Sequence, residues 1–243
     1  MQVAILTVGD EVLAGDIENT NATWLARQLT ERGATVSRIL TVPDDRDLIE
    51  ETVAEWAETF DAVVVTGGLG GTHDDVTADA LADAFGRDLV VHEEVHEDVV
   101  ATVAEYRDRN PDLVEAHEID LDVDAWAALP EGARPLINPR GLCPGCVVEN
   151  VYATPGIPDE MKAIFEQIAP ELGGETVTRE LRTPQPEGSF TEVISEVHDR
   201  FDVAVGSYPS LTEYNRVKVL GTDESAVEAA SEWLQGELEV VEE

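Results

Sequence analysis

Lysine is nearly missing from this chain: only Lys162 and Lys218 occur, and lysine plus arginine total 15 against 52 acidic residues. Sequence-independent nucleic-acid binding depends on clustered Lys and Arg that displace phosphate counterions, so no nucleic-acid partner is expected. Long apolar runs are also missing. None approaches the ~20 residues that a membrane-crossing helix needs, so no membrane partner is expected either. The N-terminal MQVAILTVGDEV has no basic stretch before its apolar residues and no small-residue cleavage site. It therefore reads as a first strand, not a signal peptide, and a cytoplasmic protein is expected. Cysteine appears only as Cys143 and Cys146, in CPGC. A zinc site needs two more ligands, yet no second CxxC or paired histidines follow. A redox pair should open a helix, whereas the strand-like VVENVYAT comes next, so small apolar residues are the better reading.

What is abundant is negative charge, −37 in total, spread along the whole 243-residue chain rather than gathered in a tail. Such a molecule repels itself in dilute buffer, and concentrated salt screens that repulsion within a few ångströms. Adaptation to a salt-filled, halophilic cytoplasm is the expectation. Hydrophobic residues make up 43%, enough for a packed core in one large domain or a medium domain plus a small one.

The pattern along the chain alternates. Residues 2–8 form a β-rich apolar run ending at Gly9, and 19–32 carry a helical stripe of Ala22, Leu25, Ala26 and Leu29 with Gly33 as a C-terminal cap. A strand before Pro43, a helix over 46–59, the strand DAVVVT and a helix over 76–86 follow. Strand and helix in turn imply a parallel sheet covered on both faces. Residues 93–128 read as acidic and mostly helical with a break at Asn110-Pro111, and 130–146 as irregular. After Gly173-Gly174 the order becomes β-α-β-β-α, a compact α+β module. Domains over 1–172 and 173–243 are expected. His92, His96, His117 and His198 lie among acids without metal-ligand spacing and read as surface residues.

The chemistry concentrates in TGGLGGTHDDVT, Thr66 to Thr77. A parallel strand ends, glycines permit a tight turn, and a helix begins. Gly67, Gly68, Gly70 and Gly71 would let main-chain N–H groups approach an anion, and the helix start adds partial positive charge. Asp74, Asp75 and Thr77 would stand beside a phosphate there, which makes sense if Mg²⁺ or another divalent ion bridges them. Read alone, the segment is equally a glycine turn with Asp and Thr as helix caps. Gly9-Asp10-Glu11, Pro43-Asp44-Asp45, Asn138 to Gly145 and Pro155 to Pro158 are expected at the same sheet edge.

TVGDEVLAG, NTN at 19–21, PDD, GGLGGTHDDVT, PEGA, NPRGLCPG and PGIPDEM occur in an order that resembles the molybdopterin-binding (MoaB/Mog-like) family, in its CinA-like branch, over residues 1 to about 170. The remainder resembles the KH-like module that CinA-like proteins append. The resemblance implies a three-layer α/β domain with a parallel sheet, followed by a small α+β KH-like module and no amidase domain. It implies a pterin- or nucleotide-phosphate site at Gly67, Gly68, Gly70 and Thr72, with Thr77 beside it. Asp75 would be an essential, metal-binding acid and Asp45 the second, with Asp44 close behind. Gly9, Glu11 and Asn21 belong to its GDE…N pattern, and Asn138, Gly141 and Gly145 to the opposite wall. A homo-oligomer, dimer or trimer, is implied too.

Three departures stand out. Gly71 occupies a usual proline position, which should loosen the loop, and Cys143 a usual alanine. Asp74 stands where Mog-like adenylyltransferases carry a basic residue, which argues against strict adenylyl transfer. Three functions remain: molybdopterin binding in molybdenum-cofactor biosynthesis, metal-dependent ADP-ribose pyrophosphatase activity, and a non-catalytic binding module.

Overall fold

The computed structural model describes residues 1–109, 121–210 and 212–241; His117 and the break expected at Asn110-Pro111 lie outside them. The chain divides into two compact units, Met1–Leu29 with Val36–Leu172, and Thr30–Thr35 with Gly173–Glu243.

The first unit carries β1 (Gln2–Val8), β2 (Thr35–Val42), β3 (Ala62–Thr66), β4 (Leu89–Val91), β5 (Ala128–Pro130), β6 (Arg134–Leu136), β7 (Gly145–Val148) and β8 (Val151–Thr154). Six of them form one sheet in the order β2-β1-β3-β8-β7-β6, while β4 pairs with β5. The pairs β1–β3 and β3–β8 are parallel; β8–β7 and β7–β6 are antiparallel. The stretch expected as irregular therefore contributes an antiparallel edge. Its strands are only three or four residues long, and Pro135 is tolerated because β6 lies at the rim.

Around the sheet lie α1 (Asp10–Leu13), α2 (Thr20–Glu31), α3 (Arg46–Thr59), α4 (Thr77–Ala84), α5 (Glu93–Arg109), α6 (Val123–Trp126) and α7 (Pro158–Ile168). Side chains of a strand alternate between faces. Ala4, Leu6 and Val8 of β1 join a core with Ile49, Val53 and Trp56 of α3 and Leu81 of α4. That leaves Val3 and Ile5, both fully buried, for the other face. There α2 and α7 bury Leu25, Leu29, Ile164 and Phe165, and Trp24 meets Phe165 edge-on with ring centroids 5.2 Å apart. Each large apolar side chain so buried contributes about 1.5–3 kcal/mol. Helices on both faces give the three-layer α/β arrangement.

The second unit runs β9 (Val177–Thr183), α8 (Thr191–Arg200), β10 (Ala204–Tyr208), β11 (Asn215–Gly221) and α9 (Glu224–Glu237). Its sheet is antiparallel in the order β10-β11-β9. Leu181, Val217 and Val219 from the strands and Val197, Val227 and Leu234 from the helices share one core. Among the described residues, no helix is long and apolar enough to cross a membrane.

Candidate functional site

The parallel strands β1, β3 and β8 all end at one edge, and the loops leaving them enclose an open cavity of about 480 Å³. Crevices at strand C-termini are where open α/β sheets take ligands, because the diverging loops leave a gap there. Gly9 follows β1, Gly67 follows β3 and Pro155 follows β8, and all three line the cavity.

The turn after β3 is built to a specific shape. Gly67 and Gly68 have φ of 104° and 65°, a region that a side chain disfavours. Gly67 donates its N–H to Thr154 O at 3.1 Å, so that amide is not available to a ligand. Thr77, fully buried at the start of α4, donates its N–H to Gly68 O at 2.8 Å and its hydroxyl to Gly67 O at 2.9 Å. It stitches the helix to the turn and lies too deep to touch a ligand. Among the described residues, the N–H groups of Gly68, Leu69 and Gly70 meet no acceptor. All three residues line the cavity.

Carboxylates crowd the same space. Glu11, Glu18, Asp44, Asp74, Asp75 and Glu160 line the cavity, whereas no Lys, Arg or His among the described residues does. The Thr72 hydroxyl lies 2.6 Å from Asp74 Oδ1 and 2.5 Å from Asp75 Oδ2. It has one proton and can satisfy one acid at a time. Hydrogen bonding from Thr72 holds the exposed Asp74 carboxyl below its usual range. The Asp75 carboxylate rests against Gly70, where any Cβ would collide with it. Asp44 accepts from the Asp10 N–H at 2.9 Å. Burial, aided by the neighbouring Asp10, Glu11 and Asp74 charges, nevertheless raises its pKa.

Asp45, expected as the second acid, is placed otherwise. It is exposed, and its Oδ1 accepts from Leu48 N at 3.1 Å as the N-cap of α3. The cavity position goes to Asp44. A capping aspartate points along its own helix, while the preceding residue is free to face the strand end.

Asn21, at the start of α2, is 9% exposed. Its Nδ2 donates to Gly156 O at 2.7 Å and to Thr66 Oγ1 at 3.2 Å. The Thr66 hydroxyl gives its own proton to Pro155 O at 2.9 Å, so it accepts from Asn21. Both partners thus require the nitrogen, and Oδ1 is left buried without a hydrogen bond.

On the far wall, Asn138 and Gly141 serve a residue that the motif reading passed over. Asn138 is buried and donates to Glu160 Oε2 at 2.6 Å. Gly141 leaves room for the Glu160 carboxylate, which a Cβ there would strike. Neither Asn138 nor Gly141 lines the cavity; Glu160 does. Burial raises the Glu160 pKa, partly opposed by the Asn138 hydrogen bond. Gly145 also stands back from the cavity. A Cβ there would meet Ala153 O at 2.7 Å and Ile164 Cγ2 at 2.8 Å, so glycine serves packing. The signal for Glu160 was present in PGIPDEM, since Pro158 starts α7 and sets Glu160 in its first turn.

Cys143 and Cys146 are buried free thiols. Burial pushes the Cys146 thiol up to about 12 and raises Cys143 as well. His73 is exposed on the turn. His92 is half-buried with Nδ1 unpartnered, unlike the surface position expected for it. Among the described residues, no group of three or more His, Cys, Asp or Glu side chains is placed to hold a metal ion. The carboxylates that line the cavity are hard oxygen donors, a type that suits Mg²⁺ bound through one or two acids plus ligand phosphates and water.

Over residues 4–174 the chain matches the family model described as "Probable molybdopterin binding domain". The chain belongs to that molybdopterin-binding family. Residues 175–242 match a second model, described as "FAD synthase, middle domain". An Archaeoglobus fulgidus protein is 38% identical over 232 residues, 95% of this chain and 95% of its own. The crystal structure of the protein CinA from Thermoplasma acidophilum is 32% identical, covering 71% of this chain and 99% of that chain with a TM-score of 0.59. A CinA-like protein of Citrifermentans bemidjiense is 38% identical over 179 residues, 72% of this chain and 41% of that protein. Within the molybdopterin-binding family the chain is CinA-like.

Proposed function

We propose that the cavity binds a phosphate-bearing pterin or nucleotide through the free amides of Gly68, Leu69 and Gly70, with a divalent cation between the ligand's phosphates and the carboxylates of Asp44 and Asp75. The observation that carries this reading is the pairing of unused N–H groups with a lining whose charged side chains, among the described residues, are all carboxylates. Peptide N–H groups at a strand-to-helix turn attract anions. Six lining carboxylates repel them, so phosphate enters only with positive charge beside it. Because the acids do not close a coordination sphere alone, cation and phosphate are expected to bind together. The description of the family matched over residues 4–174 supports this ligand chemistry, since molybdopterin joins a fused planar ring to phosphate.

A second reading, hydrolysis of an ADP-ribose-like diphosphate, is favoured by Glu160. Its raised pKa suits a carboxyl that holds and returns a proton. A bound divalent ion would supply neutralisation of phosphoryl charge. Asp75 would be positioned by Gly70 and Thr72, and Glu160 by Asn138.

Calorimetry in multimolar KCl tests the reading, titrating ADP-ribose, ADP or inorganic pyrophosphate with and without Mg²⁺. Binding should need the cation and weaken about tenfold or more in D75N, since removing one partner of a charge-assisted contact costs about 1.5–3 kcal/mol. Affinity that ignores both Mg²⁺ and D75N would overturn it. Release of AMP from ADP-ribose in the same samples separates hydrolase from binder, and light scattering tests the proposed homo-oligomer.

A further inference from the structure

The space beside Gly71 that any side chain would occupy is already filled. The pyrrole half of the Trp126 indole, carried at the end of α6, stands where a Cβ on Gly71 would be. Asp122 caps this short helix by accepting from Ala125 N at 3.2 Å, and Trp126 itself donates its N–H to Asp122 O at 3.2 Å. The ring is half-buried: part of it packs on the apolar core, and part lines the cavity beside Gly70, Asp75 and Cys143. It is the one aromatic ring lining that cavity among the described residues.

We propose that Trp126 is the wall against which the ligand's planar heterocycle stacks, and that glycine at position 71 is what admits it. The inference rests on the phosphate-binding reading above and adds where the ring goes. The turn that offers amides at Gly68, Leu69 and Gly70 meets the indole at the very next residue. A phosphate seated on the amides therefore holds an attached ring within reach of Trp126. Elsewhere the lining is made of carboxylates, Thr and Asn side chains, aliphatic residues and glycine or proline backbone, and among the described residues it offers no other aromatic ring. Indole and an electron-poor pterin or adenine attract through dispersion and complementary quadrupoles. This is a specificity residue for the ring and does not touch the phosphates held by the turn.

Two probes that share a diphosphate but differ by a ring make the test: ADP and inorganic pyrophosphate, each with Mg²⁺ in multimolar KCl. In W126A, ADP affinity should fall about tenfold or more, the usual scale for losing a base-stacking partner, while pyrophosphate affinity stays unchanged. W126F should keep most of the ADP affinity. G71A, whose added Cβ must displace the indole, should reproduce the alanine pattern. ADP quenching of tryptophan emission in the wild type should be lost in W126F. Equal losses for both probes, or no loss for either, would overturn the stacking wall while leaving the phosphate site in place. A wild type that binds neither probe would sink the phosphate reading and this inference with it, so the two failures look different. Unchanged pyrophosphate binding in W126A also certifies that the variant has folded.

Discussion

Asn138 Nδ2 donates to Glu160 Oε2 across 2.6 Å, and it also donates to Cys143 O at 2.7 Å. Its Oδ1 accepts from the N–H groups of Arg140 and Gly141. The amide cannot turn over without breaking these bonds, so one buried asparagine fixes the loop and aims the acid. Burial raises the Glu160 pKa above its unfolded value. The stability tied to its neutral form is then complete below the unfolded carboxyl range, near 4.3, and is lost as pH rises through the folded value. E160Q keeps an acceptor for Asn138 and removes that loss. Its urea midpoint should therefore gain on the wild type as pH rises from strong acid, then level off. A gain that shrinks with rising pH would contradict the assignment.

Gly67 combines φ of 104° with a backbone neighbour, Val8 O, where a Cβ would stand. G67A should lose about 1–3 kcal/mol from backbone strain, more if β1 must shift, and should weaken phosphate binding too. Chemical denaturation and pyrophosphate titration of the same protein check both halves.

The neighbours Asp44 and Asp45 should separate cleanly. D45A removes the cap of α3 and should lower stability by about 1 kcal/mol while leaving Mg²⁺-dependent binding intact. D44A should weaken that binding, and relief of charge crowding should leave stability level or improved. Reversed results would return the metal-facing role to Asp45.

With a net charge of −37, folding brings like charges together. Screening shortens to ~3 Å at 1 M salt, so the thermal midpoint should climb steeply between 0.1 M and 3 M KCl. NaCl at equal ionic strength should act similarly if screening is the cause. A midpoint indifferent to salt would remove the halophilic reading.

The alternation of strands and helices was legible because Val63, Val64 and Val65 make a strand buried on both faces, and because Leu25 and Leu29 repeat at helical spacing. The turn after β3 was legible from its glycines, although each glycine answers to a different neighbour. Gly67 avoids Val8 O, Gly70 makes room for Asp75, and Gly71 makes room for Trp126. The antiparallel edge was not legible, since three residues are too few to display alternation. Nor was the choice between Asp44 and Asp45, which depends on where the first helical turn begins. Trp126 escaped notice because its partner Gly71 lies far back in the chain, and no local pattern links them.

Asn21 has an unforgiving neighbourhood: Gly156 O can only accept, and the Thr66 proton is already given to Pro155 O. Exchanging one NH₂ for oxygen, as deamidation to aspartate does during ageing, would set a new negative charge against two acceptors. An isosteric change, invisible to packing, is thus among the most disruptive this position can suffer, and prolonged storage should damage the cavity before it damages the core.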